Sequence, residues 1–329
     1  MRNGTFLFGC GGFDVLRYVN AKEEREREIF GKRTEAWLTL FNYATLPFYW
    51  GTYEPKEGDV RQEEMEKCVD FLTDRGVTVK GHPLCWHTVC ADWLLKYDDK
   101  TIMEKQLDRI HREVSHFKGK IAYWDVINET VILPVFAKYD NAVSRLCARY
   151  GRMTLIREVF AAAKAADPSA RLLINDFNTT DSYAKVIAEC LQAGVPIDAI
   201  GIQSHQHQGY WGAEKTKEVI ERFSRFGLPI HFTENTLLSG MLVPPEIEDL
   251  NDFHAEHWDT VPFMEIRQRD ELQEMYGILL ESPYVKAATY WDFADGAWLH
   301  APAGLLREDG SRKPSYDALK EIVMRNASL

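Results

Sequence analysis

Two apolar runs in this chain end on a glutamate. Tyr123-Trp124-Asp125-Val126-Ile127 leads into Asn128-Glu129, and Leu228-Pro229-Ile230-His231-Phe232-Thr233 leads into Glu234. Runs of this composition suit strands of a parallel sheet covered on both faces. A carboxylate at the end of such a strand is tolerable only where it faces a cleft or meets partners. Two carboxylates so placed can divide the labour of a displacement. One stays protonated and donates to a leaving oxygen, while the other is ionised and attacks carbon. Glycoside hydrolysis uses such a pair, and a separation of about 5–5.5 Å would mean a covalent intermediate and retained configuration.

Other polar groups recur where apolar runs end: His82, Asn128, Asn175, Asp176, Gln203, His205 and His207. Any one of them could cap a helix or satisfy a loop. As a set, drawn from nearly every run after the second, they describe one polar face. Tryptophans share those segments: Trp50, Trp86, Trp93, Trp211, Trp291 and Trp298. An isolated Trp belongs to a core more often than to a ligand platform. Interleaved with amides and imidazoles, indoles suit a sugar, stacking on its C–H face while the polar groups bond its hydroxyls.

Eight strand–helix units would position these residues. The strands are read at 6–10, 38–44, 77–82, from 123 to Glu129, 171–176, 199–203, 230–234 and 285–291. Helical patterns fall at 22–32, 59–74, 101–117, 141–166, 270–281 and 315–325, with glycines such as Gly76, Gly194 and Gly227 at helix ends. Residues 238–263 form a long irregular stretch, expected to cover the functional face. Gly9-Cys10-Gly11-Gly12 lacks the third glycine of a dinucleotide fingerprint, since Asp14 stands there, and is read as a tight turn. Strict alternation without a linker implies right-handed βαβ units. The expectation is an α/β chain folded as a single (β/α)8 TIM barrel over residues 1–329.

Composition agrees. At 329 residues and 45% hydrophobic, the chain can bury a large core, and its net charge of −11 with mixed signs argues against a nucleic-acid partner. Six cysteines without framework spacing read as free thiols, Cys85 and Cys90 included. No stretch reaches the ~20 apolar residues of a membrane span. Residues 1–5 show no apolar leader core, so the protein is either cytoplasmic or secreted with its leader removed.

The chain resembles the glycoside hydrolase family 10 endo-β-1,4-xylanases over nearly its whole length. The likeness is carried by Gly81-His82-Pro83-Leu84-Cys85-Trp86-His87, Trp124-Asp125-Val126-Ile127-Asn128-Glu129, Asn175-Asp176-Phe177-Asn178, Ile200-Gly201-Ile202-Gln203-Ser204-His205, Thr233-Glu234 and Lys313-Pro314-Ser315-Tyr316. The resemblance implies a (β/α)8 barrel with Glu129 as acid/base and Glu234 as nucleophile. Asn128 would bond the 2-hydroxyl of the cleaved sugar, and Gln203 and His205 would orient Glu234. His82, Trp86, Trp291 and Trp298 would line the subsites around the cut, with Tyr49, Trp50 and Asn175 completing the candidate set. It implies no cofactor and no metal, a polysaccharide or oligosaccharide substrate such as xylan, and a monomer.

The departures are local. The family usually carries a Glu-Asn pair and then Lys-Trp after the second strand, and this chain reads Thr45-Leu46-Pro47-Phe48-Tyr49-Trp50. Thr236 replaces an Asp two residues past the nucleophile, Asp292 a Gly after the eighth strand, and Val89 a common Gln. Other readings stay open. The enzyme could be redirected to another β-glycan or to exo action, or the cleft could bind glycans without turnover. A metal-dependent barrel hydrolase could use His205-Gln206-His207 with His82 or His87.

Overall fold

In a computed structural model the strands lie at Leu7–Gly11 (β1), Tyr43–Pro47 (β2), Thr78–His82 (β3), Ile121–Asn128 (β4), Arg171–Asp176 (β5), Ala199–His205 (β6), Ile230–Thr236 (β7) and Val285–Tyr290 (β8). In that order they close into a barrel, with helices between successive strands, which is the expected (β/α)8 architecture. The structure describes residues 6–258 and 260–327. The leader reading at residues 1–5, and residue 259 of the 238–263 stretch, lie outside them. Among the described residues no helix is long and apolar enough to cross a membrane.

The chain falls into two compact units. One comprises Met1–Tyr43, Gln203–Ser224 and Ile230–Leu329, and the other Ala44–Ile202 with Arg225–Pro229. In the first, β8 pairs in parallel with β1 and β7. In the second, β3, β4, β5 and β6 run side by side in parallel. Aromatic rings fill the second unit's core, where Phe48 packs on Trp124 at 4.9 Å and on Phe117 at 5.4 Å.

Four local readings change. The second strand begins at Tyr43, not residue 38, because the preceding helix, Glu24–Leu38, runs on to bury Trp37. Phe41 then donates back to the Trp37 carbonyl, and the Asn42 side chain accepts from Phe8 N–H at 2.8 Å. Gly9 and Gly11 lie inside β1 rather than in a turn. A Cβ on Gly9 would meet Thr289 Oγ1 at 2.5 Å, and one on Gly11 the Trp291 carbonyl oxygen at 2.7 Å, so close approach is what requires glycine. The helical pattern 141–166 is two helices, Ala142–Tyr150 and Arg152–Ala166, parted by Gly151 at φ 84°. The stretch 238–263 is largely irregular, as expected, with one short 3-10 turn at Leu250–Asp252, but it is packed: Leu238, Val243 and Trp258 form a small core with Ala301 and Ala303. Gln208 ties it down by donating to the Pro244 and Ile247 carbonyls, and the following helix starts early, at Pro262.

Candidate active site

Glu129 follows directly on β4. Its backbone is left-handed, φ 60°, a conformation rare for a residue with a side chain and one that concentrates at functional sites. Its N–H donates to the Asn175 carbonyl at 2.8 Å, which holds the turn. The β4–β5 register slips by one residue between Asp125 and Ile127, a bulge just ahead of the carboxylate. Bulges next to active sites re-aim side chains. Trp86 Nε1–H donates to Glu129 Oε2 at 2.8 Å, and His87 Nε2 lies 3.6 Å from the same oxygen. Asn175 donates its amide N–H to Asn128 Oδ1 at 2.8 Å, and so fixes which way the Asn128 amide faces.

His82 is aimed by a buried ion pair. Asp125 Oδ2 lies 2.6 Å from Lys80 Nζ and 2.7 Å from His82 Nδ1, all three groups being buried. Burial alone would push the Asp125 carboxyl up, but the adjacent Lys80 ammonium and the His82 hydrogen bond hold it below the ordinary carboxylate range. Asp176 anchors the segment after Glu129, accepting from Val131 N–H at 2.9 Å and Thr130 Oγ1–H at 3.2 Å. Burial pushes its carboxyl up to about 6, against the pull of the Asn178 and Val131 N–H donors. Tyr49 stands 5.7 Å from both the His82 and Trp86 rings, so the end of β2 adds an aromatic wall in place of charged groups.

Glu234 lies within β7, again at a slip of register, which falls between Phe232 and Asn235. Period-two alternation puts Gln203 and His205 on one side of β6, while Ser204 faces the other way and bonds Asn235. His205 Nε2 is 2.9 Å from Glu234 Oε2, and its Nδ1 is 3.0 Å from Thr236 Oγ1. Trp298 covers the His205 ring at 4.7 Å, and Trp291 meets it edge-on at 5.8 Å. His207 is buried behind them, 5.0 Å from the Trp298 ring, and burial with the nearby His205 pushes its imidazole down to about 3.

The predicted residues thus gather in two clusters. One holds Glu129, Asn128, Asn175, His82, Trp86 and Tyr49, and the other Glu234, His205, Trp291 and Trp298 with Gln203 buried on the same strand as His205. Trp50 does not join its cluster as a platform. It is 5% exposed, donates its indole N–H to Glu54 at 3.0 Å, and has the Arg109 guanidinium over its ring. Lys80 was missed. A lysine inside a β-run that also carries Asp one strand later is the signal that could have found it. Among the described residues, no three His, Cys, Asp or Glu side chains group as a metal ion would need.

Relatives and solved structures point the same way. The chain is 28% identical over 291 residues to endo-1,4-beta-xylanase B of Thermotoga neapolitana, covering 83% of this chain and 78% of that protein. It is 28% identical over 269 residues to beta-1,4-xylanase of Dictyoglomus thermophilum, covering 79% and 73%. The crystal structure of native xylanase 10B from Thermotoga maritima superposes with a TM-score of 0.77 at 25% identity, over 98% of this chain and 96% of that one. The sequence profile of Glycosyl hydrolase family 10 matches residues 20–322. The chain belongs to glycosyl hydrolase family 10 and is a glycoside hydrolase.

Proposed function

We propose that this enzyme cleaves β-1,4-xylosidic bonds in xylan or a closely related β-glycan with retention of configuration, using Glu129 as acid/base and Glu234 as nucleophile. The observation that carries the assignment is that each of the two carboxylates accepts a hydrogen bond from an aromatic-ring nitrogen, of Trp86 at 2.8 Å and of His205 at 2.9 Å. In the first step Glu234 attacks the anomeric carbon while Glu129 gives its proton to the glycosidic oxygen, and the leaving sugar departs as an alcohol. In the second, Glu129 takes a proton from water, whose oxygen displaces Glu234 from the same carbon. Asn128 bonds the 2-hydroxyl, and His82, Trp86, Gln203, Trp291 and Trp298 line the sugar path. In this reading the chain works as one catalytic domain, as a monomer, without a cofactor.

Tyr49 supports a second reading on the glycone side. Where the family usually holds that sugar with charged and amide groups, this chain offers a ring packed on His82 and Trp86. Losing hydroxyl-bonding groups shifts discrimination between substrates strongly. The test is product analysis on a panel of β-glycans and aryl glycosides, with Glu129→Ala and Glu234→Ala in parallel. Xylo-oligosaccharides from wild type alone support the assignment. Turnover of another glycan with silence on xylan redirects the substrate, and full activity in either variant removes the catalytic pair.

A further inference from the structure

Trp298 is carried by a backbone that few residues adopt. Leu299 and His300, which follow it, have φ of 56° and 55°, so two successive residues with side chains are left-handed. Conformations of this kind persist only where the surroundings over-determine them. Two backbone bonds close the turn, Gly296 N–H on the Ala301 carbonyl and Ala301 N–H on the Trp298 carbonyl, each at 3.0 Å. The rest comes from the stretch after β7. Leu299 and Leu250 both pack against the small core of Leu238, Val243, Trp258, Ala301 and Ala303. Next to Leu250, Asn251 accepts the Trp298 indole N–H on Oδ1 at 3.3 Å. We propose that Asn251 is a positioning residue that holds Trp298 over the His205 ring, so that the indole platform beside Glu234 is set before a sugar arrives. The proposal rests on the readings of Glu234 as nucleophile and of Trp298 as part of the sugar path.

What Asn251 presents is itself fixed. Asp249 Oδ1 accepts from the Asn251 backbone N–H at 2.9 Å and from its Nδ2–H at 3.0 Å. With the amide nitrogen turned to that carboxylate, the amide oxygen is the end left for the indole. A bond of 3.3 Å at an exposed residue is weak by itself. Its part is to select one position for an indole that Leu299 has already brought near. That position matters, since the same ring covers His205 at 4.7 Å and His207 at 5.0 Å. His205 in turn reaches Glu234 Oε2 at 2.9 Å. All of these residues belong to the first unit. A platform ordered in advance spares binding the cost of ordering it, so the gain falls on KM.

The test compares wild type with Asn251→Ala, Asn251→Asp and the double variant Asp249→Asn/Asn251→Asp. It reads the 15N–1H resonance of the Trp298 indole, assigned by its loss in Trp298→Ala, together with kcat and KM on an aryl β-xylobioside. Asn251 is exposed, so these changes leave the core intact. Asn251→Ala should shift the Trp298 resonance and raise KM about threefold, the loss of one weak hydrogen bond, with kcat unchanged. Asn251→Asp should do the same, because the new carboxylate has no donor for Asp249 and is repelled by it. The double variant should restore both readouts, with the amide now at 249 donating to the carboxylate at 251. A wild-type Trp298 resonance in Asn251→Ala overturns the proposal, as does a loss that falls wholly on kcat. A double variant no better than Asn251→Asp overturns the part given to Asp249. If the xylobioside is not turned over, or Trp298→Ala leaves KM unchanged, the functional reading fails, while the resonance still decides whether Asn251 holds the indole.

Discussion

At the scale of single residues, the acid/base candidate depends on an indole. Trp86 gives Glu129 Oε2 a 2.8 Å hydrogen bond, and His87 Nε2 lies 3.6 Å from the same oxygen. Trp86→Phe keeps the ring face and removes the donor. It should lower kcat/KM about five- to tenfold. Without the donor the ionised form of Glu129 is less favoured, so the alkaline limb of the profile should move up in pH. A pH series on one aryl glycoside checks both expectations. Trp50 offers the contrasting case. Its indole N–H serves Glu54, so Trp50→Phe should leave KM for xylo-oligosaccharides near wild type while lowering stability by about 1 kcal/mol. A KM shift as large as that of Trp86→Phe would return Trp50 to the substrate path.

At the scale of elements, the site is held by backbone packing that side chains report only indirectly. Gly201 on β6 is the clearest instance. A Cβ there would lie 2.3 Å from Asn175 Oδ1, the side chain that fixes Asn128. Gly201→Ala should therefore cost about 1–3 kcal/mol and also reduce kcat, because relieving the clash turns the amide that orients Asn128. Thermal melts and kinetics on the one variant separate these effects. Much of the arrangement was legible in the sequence. The sequence places a strand over residues 171–176 with the bounds the structure gives, and Glu129 follows directly on β4, whereas β7 runs two residues past Glu234 to Thr236. The failures have physical causes. A second strand starting at residue 38 is too early because Leu38, Leu40 and Phe41 are as apolar as a strand, yet they finish a helix and a turn. The bulges before Glu129 and at Glu234 leave no mark in composition, since they depend on pairing between strands distant in sequence.

At the scale of the whole molecule, buried titratable groups set how stability follows pH. Burial, with the Asp295 and Asp14 carboxylates, pushes Asp292 up to about 8 against the opposing Lys313, and its Oδ2 finds no hydrogen-bond partner. The folded state thus keeps this proton while the unfolded chain releases it above about pH 4. Stability is lost as pH rises between those values. His207 acts in the other direction. Its folded imidazole stays neutral to about 3, so stability falls as pH drops below about 6.5, where the unfolded state takes up a proton. Between about pH 6.5 and 8 the Asp292 slope is unopposed by His207. Asp292→Asn should raise Tm by about 2–6 °C at pH 8 and by little at pH 4. Equal gains at both pH values would mean that packing, not ionisation, is the cause.

With Glu129 as the proposed acid/base, its left-handed backbone sets thermal selection against the enzyme's chemistry. Glycine adopts φ 60° without steric penalty, so Glu129→Gly should melt above Glu129→Ala by about 1 kcal/mol, the reverse of the order usual inside regular elements. A mutant library enriched only for heat resistance would accumulate glycine at this position and lose turnover in doing so. A breeding scheme for this protein has to score catalysis in every round.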